Sequence, residues 1–282
     1  DGSEFPAFCT LAPIREDDQA TGLVIVLNDI TERKKTQERL EATVEELNRS
    51  NEELEQFAYA ASHDLQEPLR KVTAFADRLM KRCGDQLDEK SQMYLDHMED
   101  AAKRMRQLIE DLLAYSRITT RAQPFEDVDL RKVARNVVSD LEVRIQELDG
   151  RVEIGELPTI QAEPVEMRQL LQKLIANGLK FHLEYVSPVV QVEAEMVNTD
   201  DEQVCRLSVT DNGIGFEKKY RERIFSIFRR LHPRGEYSGT GVGLALCQKI
   251  VQRHDGTITA HGRPDEGATF VVELPVDQEK SE

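Results

Sequence analysis

The sequence predicts an α+β multidomain chain: an N-terminal β remnant, a coiled coil, a dimeric four-helix bundle and a two-layer α/β sandwich. Three observations carry that reading. Residues 32–61 are rich in Glu, Arg, Lys, Gln and Leu and hold neither Gly nor Pro. A later seam of Leu95, Met98, Ala102, Met105, Ile109 and Leu112 repeats at spacings of three and four. After Pro124, helix and strand patterns both occur but do not alternate one for one, which disfavours a doubly wound parallel sheet.

Residues 1–31 read as strands. Asp1-Gly2 is a turn signal, and Gly22 opens the apolar run Leu23-Val24-Ile25-Val26-Leu27. Two or three strands cannot close a core, so this segment reads as the tail of a domain. Its ending, Asn28-Asp29-Ile30-Thr31-Glu32-Arg33, resembles the close of a PAS sensor domain running into a signalling helix. Residues 32–56 follow as a coiled coil, with Val44, Asn51 and Ala58 at heptad position a and Leu40, Leu47, Leu54 and Ala61 at d. A single amphipathic surface helix is the competing reading, and the narrow seam favours the coiled coil. Counting on from Ala61, His63 falls at f, facing away from the seam. Pro68 is expected to bend or break the helix. A second helix is predicted from about Asp88 to Arg117, joined through a loop around Gly84. The hairpin occupies residues 57–122, and two copies would make a four-helix bundle. Residues 123–276 form the α/β part. Helices are predicted near 130–148, 164–181 and 241–254, and strands at 151–154, 189–197, 204–210, 257–261 and 268–274. Residues 277–282 are a polar tail.

Bulk properties narrow the function. A chain of 282 residues has room for about two domains. Asp and Glu number 53 against 37 Lys and Arg, a net charge of −16 that repels phosphate backbones and excludes nucleic acid as a partner. Four dispersed cysteines, Cys9, Cys83, Cys205 and Cys247, suit a reducing compartment better than a disulfide or zinc framework. No apolar run approaches the ~20 residues that span a bilayer, and no signal peptide is evident. The segment is expected to be cytoplasmic without membrane contact of its own, although its parent protein is free to be membrane-anchored.

The chemistry-bearing motifs start at Ser62-His63-Asp64-Leu65-Gln66-Glu67-Pro68-Leu69. An exposed imidazole beside a carboxylate can be polarised at one ring nitrogen, leaving the other as a nucleophile. A solvated helix position explains the same residues about as well when they are taken alone. Lys173, Asn177 and Lys180 share one helix face at i, i+4 and i+7. Asn177 offers a carbonyl oxygen to Mg²⁺ and Lys180 a charge to phosphate; a polar helix flank is the plainer reading. Asp211-Asn212-Gly213-Ile214-Gly215-Phe216 ends a strand, where Gly213 and Gly215 let a planar ligand reach the main chain and Asp211 can accept from an adenine amino group. Gly239-Thr240-Gly241-Val242-Gly243-Leu244 opens a helix whose N-terminal amides suit phosphate, without a Walker lysine or a dinucleotide-binding acid. Between them, Phe225 and Phe228 are expected to anchor a lid whose arginines reach toward the phosphates. His97, His182, His232, His254 and His261 lack the His63 arrangement and read as surface or packing residues.

Together and in this order, these motifs resemble the H, N, G1, F and G2 boxes of sensor histidine kinases, and Gly267-Ala268-Thr269-Phe270 resembles the later G3 turn. The H-D-L-Q-E-P-L-R form and the R-L-H-P-R lid resemble the subgroup that includes many phytochrome-linked kinases. The resemblance implies a HisKA-type dimerisation and phosphoacceptor hairpin and an ATP-binding domain of the Bergerat fold. It implies His63 as phosphoacceptor with Asp64 as its polarising acid, Asn177 as Mg²⁺ ligand and Lys180 as phosphate contact. It places Asp211 on adenine, Gly213 and Gly215 around that pocket, and Gly239, Gly241 and Gly243 along the phosphates. ATP and Mg²⁺ are the implied cofactors, and the partners are a second copy of the chain and the receiver domain of a response regulator. Two positions depart from the family. Lys173 stands where Asn is usual, placing an ammonium one helical turn before the metal ligand; repulsion that weakens Mg²⁺ binding is the favoured reading, and a lysine that swings to a phosphate oxygen and helps hold nucleotide is the other. Glu67 stands where phosphatase-competent members carry Thr or Asn. A degenerate scaffold that docks a regulator, favoured by Lys173, is the alternative, and a chaperone- or repair-type ATPase is more distant.

Overall fold

The computed structural model describes residues 6–16, 19–83, 86–120, 124–198, 203–231, 237 and 239–277. Gly84, His232, Pro233, Arg234 and the tail beyond Asp277 lie outside them, as does the side chain of His63. The chain divides into two compact units, Asp1–Gln56 and Phe57–Glu282.

In the first unit β1 (Ala7–Glu16) and β2 (Gln19–Asp29) form an antiparallel hairpin, with Ala7 opposite Asp29 and Glu16 opposite Gln19. Ile25, Val26 and Leu27 are all exposed, so apolar side chains stand on both faces of the ribbon. Asp29 then starts α1 (Thr31–Cys83): its Oδ1 accepts from the Thr31 amide at 2.9 Å and the Thr31 hydroxyl at 2.6 Å. Leu40, Val44 and Leu47, three predicted seam positions, are exposed.

The helix runs unbroken through Pro68, contrary to the expected break. Proline removes one amide bond, to the Asp64 carbonyl, and the many bonds of a 53-residue helix carry it past that single loss.

In the second unit α1 continues to Cys83, and α2 spans Glu89–Thr120. The apolar seam of α2 divides. Ala102 and Ile109 are buried, whereas Met98, Met105 and Leu112 are exposed at intervals of seven. On α1, Ala76 is buried, while Leu65, Val72 and Leu79 repeat the exposed interval of seven.

The α/β part begins with β3 (Glu126–Asp129), paired antiparallel with β5 (Thr159–Ala162). Neither strand was predicted; β3 offers a single apolar residue, Val128, and its partner strand lies about 30 residues further along the chain. The helix expected at 130–148 divides into α3 (Leu130–Asp140) and α4 (Glu142–Glu147). The division falls at Leu141, whose ψ of 2° leaves the helical range. The main sheet adds β4 (Arg151–Ile154), β6 (Val189–Asn198), β7 (Gln203–Asp211), β8 (Thr257–Arg263) and β9 (Gly267–Pro275), in spatial order β4-β6-β7-β9-β8. Only β4 and β6 are parallel.

Alternate residues on one sheet face are buried: Val190 and Val192 on β6, Leu207 and Val209 on β7, and Val272 and Leu274 on β9. They form a common core with α5 (Pro164–Lys180) and α6 (Gly243–Arg253). One covered face makes this the predicted two-layer sandwich. Ile118 near the end of α2 belongs to the same core.

Helix α5 sits close to the sheet at Gly178. A Cβ there would lie 2.7 Å from Val190 Cγ2 and 3.1 Å from Asp211 Cβ. Helix propensity alone favours Ala over Gly by roughly 1 kcal/mol. Overpacking a rigid contact opposes it by ~1–3 kcal/mol, and Val190 is fully buried with no room to yield. We expect Gly178→Ala to lower the unfolding free energy by about 1 kcal/mol or more in urea titrations. A stabilised variant would contradict this packing.

Candidate functional site

Strand β7, helix α5 and the segment preceding α6 enclose a cavity of about 390 Å³. Its lining includes Asn177, Lys180, Asp211, Gly215, Gly239, Gly241 and Gly243, together with Phe216, Leu244 and Phe270. Residues from four separated motifs thus converge on one space. Gly213 is not in the lining but stands behind it, its amide donating to Asp211 Oδ1 at 2.9 Å. A Cβ at position 213 would run into the Phe181 carbonyl, which already accepts from Ile214 N at 2.8 Å. That close approach requires glycine.

Asp211 closes one end of the cavity. Its Oδ1 also accepts from Ala268 N at 3.2 Å, so both amide bonds fall on one oxygen and leave Oδ2 for a ligand. Burial pushes the carboxyl up to about 6, while the Gly213 and Ala268 amides pull the other way.

Lys180 lines the same cavity. Its Nζ lies 4.1 Å from the centre of the Phe181 ring, and a Cβ at Gly239 would come within 2.7 Å of it. Burial, then the charges of Arg230 and Arg144, bring its pKa down to about 8. Among the described residues no carboxylate pairs with it. An amine held among cations in a half-buried cleft is a seat for an anion. Helix α6 starts at Gly243, in the same lining and without a side-chain cap, which leaves its first amides available to an anion. Gly241, at φ +77°, accepts at its carbonyl from the Phe228 amide at 2.9 Å.

The lid differs from expectation in one anchor. Phe225 is buried, but Phe228 is 56% exposed at φ +62° and holds nothing down. The hydrogen-bonding work falls to Arg230, which donates to Gly239 O at 3.1 Å and to Tyr237 O. Tyr237 in turn donates from its hydroxyl to His182 O at 3.3 Å.

Asp111, on α2, was missed by sequence reasoning, and it lines the same cavity. Its Oδ1 accepts from Lys173 Nζ at 2.7 Å and Gln107 Nε2 at 3.1 Å, and its Oδ2 from the Thr240 hydroxyl at 2.5 Å. Nothing local marks this acid, because its partners outside α2 lie 62 and 129 residues away. The Lys173 ammonium, expected to confront a metal, is committed to an ion pair.

Asp64 lies exposed on α1, outside the cavity. His254, one of the histidines read as packing residues, is buried. Its Nδ1 meets Ile250 O at 2.8 Å, and its Nε2 accepts from Glu163 N at 3.1 Å. The Nδ1–H tautomer satisfies both bonds, and burial lowers its pKa and favours the neutral ring.

The Asp211 carboxyl gives a sign-definite expectation. Its native pKa lies above the ordinary value of 3.8, so the fold favours the neutral form. Ionising it costs the native state, and stability falls as pH rises from about 4 through about 6. The loss is on the order of 2–3 kcal/mol. Asp211→Asn removes this titration, so in urea unfolding the variant should gain on the native protein by about that amount between pH 4 and pH 7. A constant difference across that window would refute the buried carboxyl.

Comparison with known proteins agrees with this geometry. Residues 53–121 match the family described as the His Kinase A (phospho-acceptor) domain. Residues 162–278 match the histidine kinase-, DNA gyrase B-, and HSP90-like ATPase family. The phytochrome-like protein Cph1 of Synechocystis sp. is 38% identical over 239 residues, covering 85% of this chain and 31% of that protein. Cyanobacterial phytochrome A of Nostoc sp. is 42% identical over 231 residues, covering 82% and 30%. The chain therefore spans about a third of the length of these relatives. Among solved structures, full-length ShkA in complex with AMPPNP superposes with a TM-score of 0.59 at 25% identity, covering 78% of this chain and 45% of that one. A phospho-acceptor hairpin followed by an ATPase-type sandwich, with the glycine motifs gathered at one cavity, means that the chain belongs to the sensor histidine kinases.

Proposed function

We propose that the chain binds ATP in the cavity between Asp211 and Lys180 and transfers the γ-phosphoryl group to His63, from which it passes to an aspartate of a response regulator's receiver domain. The observation that carries this reading is the convergence of Asn177, Lys180, Asp211 and three glycines of one loop on a single cavity. The AMPPNP complex of a structural relative supports nucleotide as the occupant.

In this reading Asp211 Oδ2 accepts from the adenine amino group, with Gly213 and Gly215 shaping that end. Lys180 and the amides at Gly239, Gly241 and Gly243 take the phosphates. Among the described residues no group of three or more His, Cys, Asp or Glu side chains is placed to hold a metal. Asn177, whose side chain lines the cavity, is the residue that would hold Mg²⁺. When bound, that ion would neutralise phosphate charge. Asp64 accepts from one ring nitrogen of His63, and the other nitrogen attacks the γ-phosphorus. The bond to the β–γ bridging oxygen breaks, and ADP leaves with its electron pair.

The domain assignment follows the same logic: residues 1–31 the tail of a PAS-like domain, 32–56 a coiled coil, 57–122 the phosphotransfer hairpin and 123–276 the catalytic domain. A second copy of the chain covers the rows Leu65, Val72, Leu79 and Met98, Met105, Leu112. Their seven-residue interval is that of a bundle seam, and their exposure leaves apolar surface for a partner. Leu40, Val44 and Leu47 extend the pairing into the coiled coil. No helix among the described residues is long and apolar enough to cross a membrane, in keeping with a cytoplasmic segment. The ion pair of Lys173 weakens the case for a degenerate scaffold, because its charge is already compensated.

Incubation with γ-labelled ATP and Mg²⁺ tests the proposal. Acid-labile label should form on the native protein and vanish in His63→Gln, with nucleotide affinity unchanged within about twofold. Label persisting on the Gln variant would displace His63, release of free phosphate alone would mean an ATPase, and neither would mean a scaffold.

A further inference from the structure

Asp111 belongs to α2 of the phospho-acceptor hairpin, yet every bond it makes beyond its own helix goes to the nucleotide cavity. Its side chain is only 6% exposed. It holds the Lys173 ammonium at 2.7 Å and the Thr240 hydroxyl at 2.5 Å. Thr240 sits between Gly239 and Gly241, in the loop that precedes α6, and its Oγ1 also accepts from Val242 N at 3.4 Å. A carboxylate bound by an ammonium and a hydroxyl beside a helix N-terminus is held as a phosphate oxygen would be.

We propose that Asp111 is a resident anion in the phosphate end of the cavity, competing with the incoming nucleotide for Lys173 and Thr240. The proposal rests on the reading that this cavity takes ATP. Two negative groups cannot share those donors without repulsion, and the cleft is too shielded for water to screen it fully. A bound polyphosphate therefore displaces Asp111, and the displacement is felt along α2. Tyr115, one turn further on, lies against the Lys249 ammonium of α6, 4.3 Å from the ring centre. Ile118 is buried in the core that α5 and α6 share with the sheet. The carboxylate is consequently not a loose surface group that can swing aside alone. Phosphate binding loosens α2 from the catalytic domain, and α2 docked through Asp111 disfavours phosphate. The two events oppose each other by the same factor.

The competition is confined to the phosphates, since the Asp211 end of the cavity makes no contact with Asp111 in the structure's hydrogen bonds. That separation supplies the test. Dissociation constants for adenosine, ADP and ATP are measured calorimetrically, with Mg²⁺ present, on the native protein and on Asp111→Asn. Asparagine keeps the shape and one acceptor oxygen but removes the charge. The variant should bind ATP about five- to tenfold more tightly, ADP less so, and adenosine within twofold of native. Asp111→Ala, checked for an unchanged near-native melting temperature, should show the same order. Equal shifts for all three ligands, or ATP affinity that is unchanged or weaker in both variants, would overturn the competition. If none of the three ligands binds the native protein, the ATP reading itself fails, and that outcome is separate from the other two.

Discussion

The packing of α5 on β6 and β7 is the constraint on which the site depends. The helix carries an apolar stripe, Met167, Leu170, Leu171, Leu174, Ile175 and Leu179, all essentially inaccessible to solvent. Once that stripe is buried, the 3.6-residue period leaves Lys173, Asn177 and Lys180 on the flank at the edge of the sheet. Gly178 brings the helix close enough that a methyl group there would press on both Val190 and Asp211. The distance between the Lys180 and Asp211 ends of the cavity is therefore a consequence of core packing. No loop has to be placed with precision to achieve it.

The same packing explains why the two ends are electrostatically uncomfortable. Burial raises the Asp211 carboxyl and lowers the Lys180 ammonium, so each charged form is disfavoured in the free protein. The two residues do not relieve one another: among the described residues no ion pair or hydrogen bond joins them, and neither charge figures among the causes of the other's shift. A ligand with a neutral donor at one end and an anion at the other answers both demands. The core of aliphatic side chains offsets the cost of burying these two ionisable groups. The cavity thus offers a ligand two polar anchors, one carboxyl oxygen of Asp211 and the Lys180 ammonium, among apolar side chains such as Phe216, Leu244 and Phe270.

Much of this was legible in the sequence, and what was hidden has a common physical origin. Long periodic elements were plain: the run from residue 32, the seam from Leu95 to Leu112, and strands such as Val189–Asn198 with alternating burial. The glycine motifs were equally visible, because close backbone approach at Gly213 admits no other residue. Strand β3 escaped, because it offers a single apolar residue, Val128, and its partner strand is distant in the chain. Local rules also misled at Pro68, where a long helix absorbs a single missing bond. Phe225 and Phe228 look alike in sequence, yet the positive φ at Phe228 turns its ring to solvent. Asp111 lies beyond any local rule, since its meaning comes from chain segments packed against it from far away.

Helix α5 is held from outside the sheet as well. At its N-terminus Glu163 accepts from Val165 N at 3.2 Å and from Glu166 N at 2.6 Å, capping the first turn. The Glu163 amide is itself bound by His254 Nε2, at the end of α6. Glu166 pairs with Arg253, and burial pushes its carboxyl up to about 7 despite that partner. The ring of Phe125, in the segment leading out of α2, lies 4.7 Å from that of His254 and under the Arg253 guanidinium. Near its middle, α5 meets α2 again through Lys173 and Asp111. The helix bearing Asn177 and Lys180 is thus gripped at two points by the segment that joins the phospho-acceptor hairpin to the catalytic domain. A shift of α2 cannot leave α5 indifferent: it alters the Phe125 stack at one point and the Asp111 carboxylate at the other. Both contacts bear on a helix whose apolar stripe is locked in the core, so the row of Lys173, Asn177 and Lys180 is tied to its neighbours through packing on one side and polar contacts on the other.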